Sequence, residues 1–187
     1  MLLESGNNAK IITYHGITPK IHPSVFLCEG VVILGDVEIG EDSSVWYNSV
    51  IRGDVHYIRI GKGTNVQDLS MLHVTNDKYP LNIGNYITIG HSVTLHGCTI
   101  YDDSLIAIGA RVLDGAVVEP HSCVAAGSVV LEGFVVPEGT LVAGVPAKII
   151  RKLEDEDKQK IMTMAKYYRG YVEDYRNQLY KISKKSE

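Results

Sequence analysis

The sequence predicts an all-β fold, a parallel β-helix of hexapeptide repeats, with one C-terminal α-helix packed along it. Three observations predict it: aliphatic residues recur every six positions, glycine and small polar residues separate them, and the spacing becomes helical after residue 150. Period-six repetition is typical of β-helices, whereas the later apolar spacing of three and four is typical of a helix. We therefore divide the chain into a β-helix domain, residues 1–150, and a C-terminal helix, residues 151–187.

The six-residue period runs with interruptions from Ile39 to Leu141. It reads IGEDSS, VWYNSV and IRGDVH near its start, and VLDGAV, VEPHSC and VAAGSV near its end. Each hexad is expected to form one short strand and a corner, with the aliphatic residue inside and three hexads in a coil. One coil cannot bury its apolar row alone, so stacked coils must build one continuous core.

Two stretches interrupt the period, HYIR at 56–59 and TNDKYPLN at 75–82. The Asn-Asp and Tyr-Pro pairs of the second stretch indicate an excursion from the coil. Loops on rigid scaffolds often carry function, although inert insertions fit the same sequence.

The C-terminal helix is indicated by two patterns after residue 150. An acidic first turn at 154–157 suits a helix N-terminus. The predicted apolar stripe of that helix comprises Ile161, Met164, Ala165, Tyr168, Val172, Tyr175 and Leu179.

Composition narrows the class of protein. The 187 residues are 45% hydrophobic and 21% charged, which suits one globular core. A net charge of -4 without a basic block argues against nucleic acid or an anionic membrane as partner. Cys28, Cys98 and Cys123 are scattered, so we expect a reducing, cytoplasmic compartment and no disulfide framework. No apolar stretch is long enough to suggest a membrane span.

Histidines carry the candidate chemistry. Counting hexads onto three faces, a, b and c, places Leu72 and Leu95 on face a, one coil apart. His73 and His96 follow these leucines directly, so their Cα atoms should lie about 4.8 Å apart. His91 belongs to a face c hexad, around a corner, and cannot easily join the pair within one chain. A cyclic trimer, in which face a of one subunit meets face c of the next, would unite them.

Three neutral imidazoles with a fourth position open form the arrangement of a catalytic zinc, whose bound water loses a proton near neutral pH. We therefore predict a metal site from His73, His91 and His96, and a homotrimer that shares it between adjacent subunits. The other histidines, His15, His22, His56 and His121, have no such relation and are expected to be structural.

The stretches VIRGDV, TNVQDLSMLHV and IGHSVTLHGCTI resemble the gamma-class carbonic anhydrase family, and the resemblance covers nearly the whole chain. It implies a left-handed β-helix, a trimer with zinc at the subunit interface, and CO2 and bicarbonate as substrates. It maps the zinc ligands onto the same three histidines. Arg52 and Asp54 of RGD would make interface contacts near the metal, and Gln67 of NVQD would hydrogen-bond the solvent on zinc.

Asp68 and Tyr168 are two further candidates for the site. Asp68 falls one coil before His91 at the equivalent position, so it is a candidate hydrogen-bond partner for that ring. The resemblance also implies a tyrosine of the C-terminal helix near the site, and Tyr168 in A-x-x-Y is our candidate, with packing as the alternative.

The sequence departs from the family pattern at the groups that move protons. Val55 stands where the archetype has a glutamate, and the 75–82 loop offers Asn76 and Asp77 but no glutamate. Fast proton export is therefore in doubt.

The function hypothesis is a zinc-dependent carbonic anhydrase, with Fe²⁺ or Co²⁺ as alternative metals because imidazole suits several divalent ions. Two alternatives stay open. Hexapeptide-repeat folds also host acyltransferases and acyl-CoA thioesterases, since a fold does not fix a function. A catalytically silent, metal-bound trimeric scaffold is the other. Arg111 is assigned no role.

Overall fold

The computed structural model describes residues 8–183, with side chains described through residue 178. Twenty short strands precede one long helix. The first ten strands are β1 Lys10–Ile12, β2 Lys20–Ile21, β3 Phe26–Leu27, β4 Val32–Ile39, β5 Ser44–Val45, β6 Val50–Ile60, β7 Asn65–Val66, β8 Met71–His73, β9 Leu81–Ile83 and β10 Thr88–Ile89. The others are β11 Thr94–His96, β12 Thr99–Ile100, β13 Leu105–Ile106, β14 Arg111–Val112, β15 Val117–Val118, β16 Cys123–Val124, β17 Val129–Val130, β18 Val135–Val136, β19 Thr140–Gly144 and β20 Ala147–Lys152, followed by α1 Asp155–Ser183.

Three parallel ladders run up the molecule and correspond to the predicted faces. Face c stacks β3, β5, β7, β10, β13, β16 and β19, and β20 pairs antiparallel with β19 at its end. Face a contains β1, β8, β11, β14 and β17, and face b contains β2, β9, β12, β15 and β18. The long strands β4 and β6 turn the corner and belong to both a and b. This architecture confirms the predicted left-handed β-helix of hexapeptide repeats.

The core is the column of aliphatic side chains inside the prism. Ile51, Leu72, Leu95 and Val112 follow one another on face a, and each is fully buried. Their branched side chains pack on the pleated surface of the strands, which is why the hexad repeats an aliphatic residue. The stacked coils therefore satisfy the backbone in parallel ladders and bury the apolar row in the same step.

The length of the coil varies at one edge only. In the coils that contain residues 33–118, the chain takes six residues from each face b strand to face c, as from Ile60 to Val66, and six more to face a, as from Val66 to Leu72. From face a to face b it takes six residues at Ile33–Ile39, but nine at Ile51–Ile60 and eleven at Leu72–Ile83. Both predicted interruptions therefore lie at the a/b edge.

The helix α1 packs along the prism, as predicted, and the face that it covers is face c. Ile161 and Ala165 are buried, and Tyr168 and Val172 pack against the core. Met164 is 42% exposed, so this predicted stripe residue does not face the prism, and the side chain of Leu179 lies outside the described residues.

An aromatic cluster joins α1 to the prism. The ring centroid of Trp46 lies 5.4 Å from that of Tyr168 and 5.1 Å from that of Tyr175. Further along the helix, Arg176 donates to the carbonyl of Ser24 at 2.8 Å. The helix is thus fixed along most of the length of face c.

The C-terminal end of the β-helix domain departs from the simple repeat. Strand β20 spans Ala147–Lys152, so the predicted division after residue 150 falls within a strand. At the start of α1, Asp157 accepts the backbone N–H of Glu154 at 3.0 Å and a hydrogen bond from Arg151 at 2.6 Å. These hydrogen bonds lower the pKa of Asp157 to about 2.

Within the described residues, no helix has the length and apolarity that a membrane crossing requires.

A matched pair of isoleucines tests the packing of the core. Ile106 is fully buried on face c, whereas Ile150 in β20 is 57% exposed. We expect Ile106→Ala to lower the free energy of unfolding by about 2–5 kcal/mol, because it removes buried methylenes and leaves a cavity. The exposed Ile150→Ala should change it by less than about 0.5 kcal/mol. Chemical denaturation of both variants measures the difference, and equal losses would contradict the described burial.

Candidate metal centre

His73 and His96 lie at the ends of β8 and β11 and face each other across adjacent coils. They are register partners in the parallel ladder of face a, as the hexad count predicted. Nδ1 of His73 lies 3.0 Å from Nε2 of His96, and the two ring centroids are 5.0 Å apart. Two imidazole nitrogens thus share one small space.

A carboxylate holds the other nitrogen of each ring. Nε2 of His73 lies 3.0 Å from Oδ1 of Asp54, and Nδ1 of His96 lies 2.6 Å from Oδ1 of Asp114. Arg52 donates to the second oxygen of Asp54. Burial by itself raises the pKa of both carboxyls, but hydrogen bonds from Arg52 and His73 leave that of Asp54 below its ordinary value. Hydrogen bonds from Thr75 and His96 do the same for Asp114.

The protonation state follows from these contacts. Ionised carboxylates only accept hydrogen bonds, so the outer nitrogen of each ring carries the proton. Burial lowers the pKa of His73, which keeps its ring neutral at neutral pH. When both rings are neutral, the two facing nitrogens of His73 and His96 present lone pairs to each other at 3.0 Å. Such a contact is stabilised by a cation between the rings, so this donor set fits a divalent metal bound by imidazole.

These four residues, Arg52, Asp54, His73 and His96, form what we name the histidine-pair half-site. They lie at the a/b edge of the prism. Across residues 8–183, no set of three or more histidine, cysteine or carboxylate side chains is arranged to hold a metal within one chain. The histidine-pair half-site therefore offers two imidazole nitrogens that could act as metal ligands.

His91 lies at the opposite edge of face a, where face c turns into it. The five residues from His91 to His96 span up to about 16 Å when extended. Its Nδ1 lies 2.7 Å from Oδ2 of Asp68, so the proposed partnership of these two residues is a contact in the structure. The side chain of His91 is 44% exposed. Its ring is thus oriented by Asp68 and accessible to another molecule.

Gln67 and Tyr168 lie on the His91 side rather than beside the histidine pair. Gln67 precedes Asp68 on face c, and its amide donates to Asn65 at 3.1 Å. Burial, followed by the negative charge of Asp68, raises the pKa of Tyr168, so its hydroxyl stays protonated at neutral pH. We name Gln67, Asp68, His91 and Tyr168 the single-histidine half-site.

Asp114 and Thr75 are the site residues that the sequence analysis missed. Asp114 holds His96, and the hydroxyl of Thr75 donates to Oδ2 of Asp114 at 2.6 Å. The hexad count gave no signal for Asp114, because the coil from Leu95 to Val112 has 17 residues and its register aligns His96 with Leu113. Thr75 gave no signal either, since it begins the irregular stretch where the hexad count stops.

The remaining residues singled out in the sequence lie apart from both half-sites or carry no visible role. His22 contacts Ser24, with Nδ1 and Oγ 2.8 Å apart, and the ring of His56 packs against Tyr57 at 4.8 Å. Arg111 is exposed on β14, and nothing in its surroundings assigns it a role.

Val55 and the 75–82 loop, where the sequence departs from the family pattern, meet at the a/b edge. Asn76 and Asp77 are exposed, and the N–H of Asp77 donates to the carbonyl of Val55 at 3.3 Å. The side chain of Val55 is 37% exposed. The surface beside the histidine-pair half-site thus presents an apolar side chain where the archetype has a glutamate.

The fold and the stacked histidines define a class, the hexapeptide-repeat β-helix proteins. The model of the bacterial transferase hexapeptide family (six repeats) matches residues 18–53. Among solved structures, a hexapeptide transferase family protein from Anaplasma phagocytophilum superposes with a TM-score of 0.85 at 37% identity, over 90% of this chain and 99% of that one.

Within that class, the chain belongs to the gamma-class carbonic anhydrase-like family. A carbonic anhydrase of Geobacillus kaustophilus is 47% identical over 171 residues, which cover 91% of each chain. The mitochondrial gamma carbonic anhydrase 2 of Arabidopsis thaliana is 44% identical over 156 residues, or 81% of this chain. That match covers 56% of the plant protein, so the chain spans little more than half of this longer relative.

The contact between Arg52 and Asp54 makes the acidity of Asp54 testable. We expect Arg52→Ala to raise the pKa of Asp54 towards its ordinary value, because a hydrogen bond and a positive charge are lost. A depressed carboxyl pKa stabilises the fold above about pH 3.9 and loses that contribution as the pH falls. The variant should therefore show a shallower loss of stability on acidification below that pH.

An NMR titration of the side-chain carboxyl in metal-free protein measures this pKa. Arg59→Ala is the matched control, because Arg59 pairs with Asp36 at 2.8 Å and does not contact Asp54. An unchanged pKa of Asp54 in Arg52→Ala would refute the contact.

Proposed function

We propose that this chain is a metal-dependent carbonic anhydrase that interconverts CO2 and water with bicarbonate and a proton. Zn²⁺ is the proposed metal, with Fe²⁺ or Co²⁺ as alternatives. His73 and His96 of one subunit and His91 of the next would hold it in a homotrimer. One observation carries the proposal. A nitrogen of the His73 ring and a nitrogen of the His96 ring lie 3.0 Å apart, and the other nitrogen of each ring contacts a carboxylate.

The residues of this chain have distinct roles in the proposed reaction. A metal bound there would supply the Lewis acidity that makes water a nucleophile near neutral pH. Asp54 and Asp68 fix the rings of His73 and His91, so that each directs one nitrogen to the metal. Gln67 and Tyr168, on the other side of the subunit boundary, would offer an amide and a protonated hydroxyl to the reacting oxygen atoms.

The division of the site supports a shared metal. On a single chain the two half-sites lie at opposite edges of face a, so they can meet only when another copy docks. The surface around His91 has the exposed apolar character expected of such a contact. Ile108, one coil after His91, is 58% exposed, and Leu69 beside Asp68 is 63% exposed. Leu69 also adopts a φ of +61°, a conformation that a leucine rarely keeps without a compensating interaction.

The cysteines support a cytoplasmic location for the proposed enzyme. Cys28, Cys98 and Cys123 are free thiols. Burial raises the pKa of Cys28 to about 12 and that of Cys123 to about 11, so both stay protonated and unreactive. Such thiols suit a reducing compartment.

Replacing a ligand tests the chemistry. We expect His96→Ala to lose bound metal and to reduce CO2 hydration by at least about 100-fold, because one of the proposed ligands disappears while the aliphatic core stays intact. Stopped-flow CO2 hydration and metal content per chain are to be measured on the same anaerobically purified sample. His22→Ala is the control, since the His22 ring hydrogen-bonds with Ser24 and lies outside both half-sites. Full activity of His96→Ala without metal would overturn the proposed chemistry.

Subunit complementation tests the sharing of the metal. His73→Ala and His91→Ala should each be inactive alone, because each lacks one ligand at every site. Coexpressed in equal amounts, they should form mixed trimers in which about one quarter of the sites are complete, since each site takes two chains at random. Recovery of metal binding and activity to about that level is the expected result. No recovery in proven mixed trimers would show that all ligands come from one chain.

A second candidate function is acyl transfer from coenzyme A or hydrolysis of acyl-CoA. The observation in its favour is the match to the transferase hexapeptide model and to a solved hexapeptide transferase family protein. Neither reaction explains the paired imidazoles as well as a metal does. Full metal loading without CO2 hydration, together with turnover of an acyl-CoA panel, would favour this candidate. Full metal loading with neither activity would favour a trimeric scaffold.

A further inference from the structure

Each ring of the histidine-pair half-site is the last member of a chain of three groups. Arg52, Asp54 and His73 form one chain, with the guanidinium on one carboxylate oxygen and the imidazole on the other. Thr75, Asp114 and His96 form the second, with oxygen–oxygen and nitrogen–oxygen distances of 2.6 Å each. The two chains thus have the same order of donor, carboxylate and imidazole.

The second chain determines which nitrogen of His96 carries the proton. Oδ2 of Asp114 already accepts from the Thr75 hydroxyl, and Oδ1 faces Nδ1 of His96. An ionised carboxylate cannot donate, so Nδ1 must be the protonated nitrogen. Nε2 is then left with a free lone pair, and it is the atom that faces His73. The tautomer needed for a metal ligand is therefore set before any metal binds.

Thr75 begins the segment 75–80, which we name the inserted loop. The loop is anchored on the coils that carry His96 and Asp114, because Tyr79 fills a groove left by two glycines. A Cβ at Gly97 would lie 2.7 Å from Cβ of Tyr79, and one at Gly115 would lie 3.0 Å from its ring. Thr75 itself bonds back to Tyr79 through the backbone at 3.1 Å. The Thr75 hydroxyl is thus held in place by packing that is independent of the histidines.

We infer that Asp114, held by Thr75, is a positioning residue that locks His96 in its Nδ1-protonated tautomer, and that the inserted loop presets this ligand. The inference rests on the proposed metal site for its purpose, but the tautomer itself is a property of the metal-free chain. It gives the longest break in the hexad period a chemical role beyond that of a tolerated insertion.

Asp114→Asn is the decisive variant, because it keeps the shape and removes the charge. The new amide can donate to Nδ1 of His96, which shifts the proton to Nε2 and blocks the lone pair. Nitrogen chemical shifts of metal-free protein should then show His96 as the Nε2-protonated tautomer. The affinity for Zn²⁺, measured by competition with a chromophoric chelator, should fall about 10–100-fold.

Two further variants separate positioning from stability. Thr75→Val removes the hydroxyl at constant size and lets the Asp114 carboxylate rotate away from His96, so it should give a mixture of His96 tautomers with a smaller loss of Zn²⁺ affinity, whereas Thr75→Ser should retain the parent's tautomer and affinity. Asp102→Asn is the matched control, since the Asp102 carboxylate accepts from the backbone and side chain of Asn85 at 2.8 and 3.0 Å and belongs to neither half-site. It should leave the tautomer and the Zn²⁺ affinity unchanged.

The outcomes separate this inference from the proposed function. An unchanged Nδ1-protonated tautomer and a Zn²⁺ affinity within about 2-fold of the parent in Asp114→Asn would overturn it. If Asp114→Asn fails to fold, the same readouts on Thr75→Val decide the question. A tautomer shift in a protein that hydrates no CO2 would uphold the positioning role and reject the proposed activity.

Discussion

The register between successive coils is the constraint on which the rest of the structure depends. Because each strand pairs in parallel with the one a coil earlier, a side chain meets the equivalent side chain above and below it. His73 and His96 are 23 residues apart, yet they are direct partners in this ladder. A slip of one residue would turn one imidazole to the opposite side of the strand and place Leu72 or Leu95 outside the core. Burial of the leucines therefore also fixes the histidines.

The prism geometry explains why the candidate site is divided. Face a has two edges, and the sequence places the histidine pair at one edge and His91 at the other. Rigid strands connect them, so no movement short of unfolding brings the two half-sites of one chain together. The carboxylates Asp54 and Asp68 nevertheless orient rings at both edges. In the proposed trimer, the separately oriented rings of different copies would serve one metal.

The sequence was sufficient for those features that follow from the repeat. Counting hexads gave the three faces, the approach of His73 to His96, and the contact of Asp68 with His91, because each depends only on position within a coil. It could not give the Thr75–Asp114 contact, since this depends on where an irregular loop returns to the prism. Met164 was misplaced for a related reason. The helical spacing of apolar residues predicts which side of the helix faces the prism. How many residues at the margin of that side become buried depends on how the helix packs on the sheet, which the spacing does not show.

The irregular steps of the chain have a chemical logic. Between residues 33 and 118, the spans across the other two edges keep six residues, whereas the a/b span varies from five residues at Leu95–Ile100 to eleven at Leu72–Ile83. A longer span costs little additional loop-closure entropy, because that cost grows slowly with the length of the loop. The repeat can therefore absorb insertions at one edge without disturbing the ladders. The histidine pair lies at that edge, where Thr75 supplies a hydroxyl that no regular hexad position would bring to Asp114.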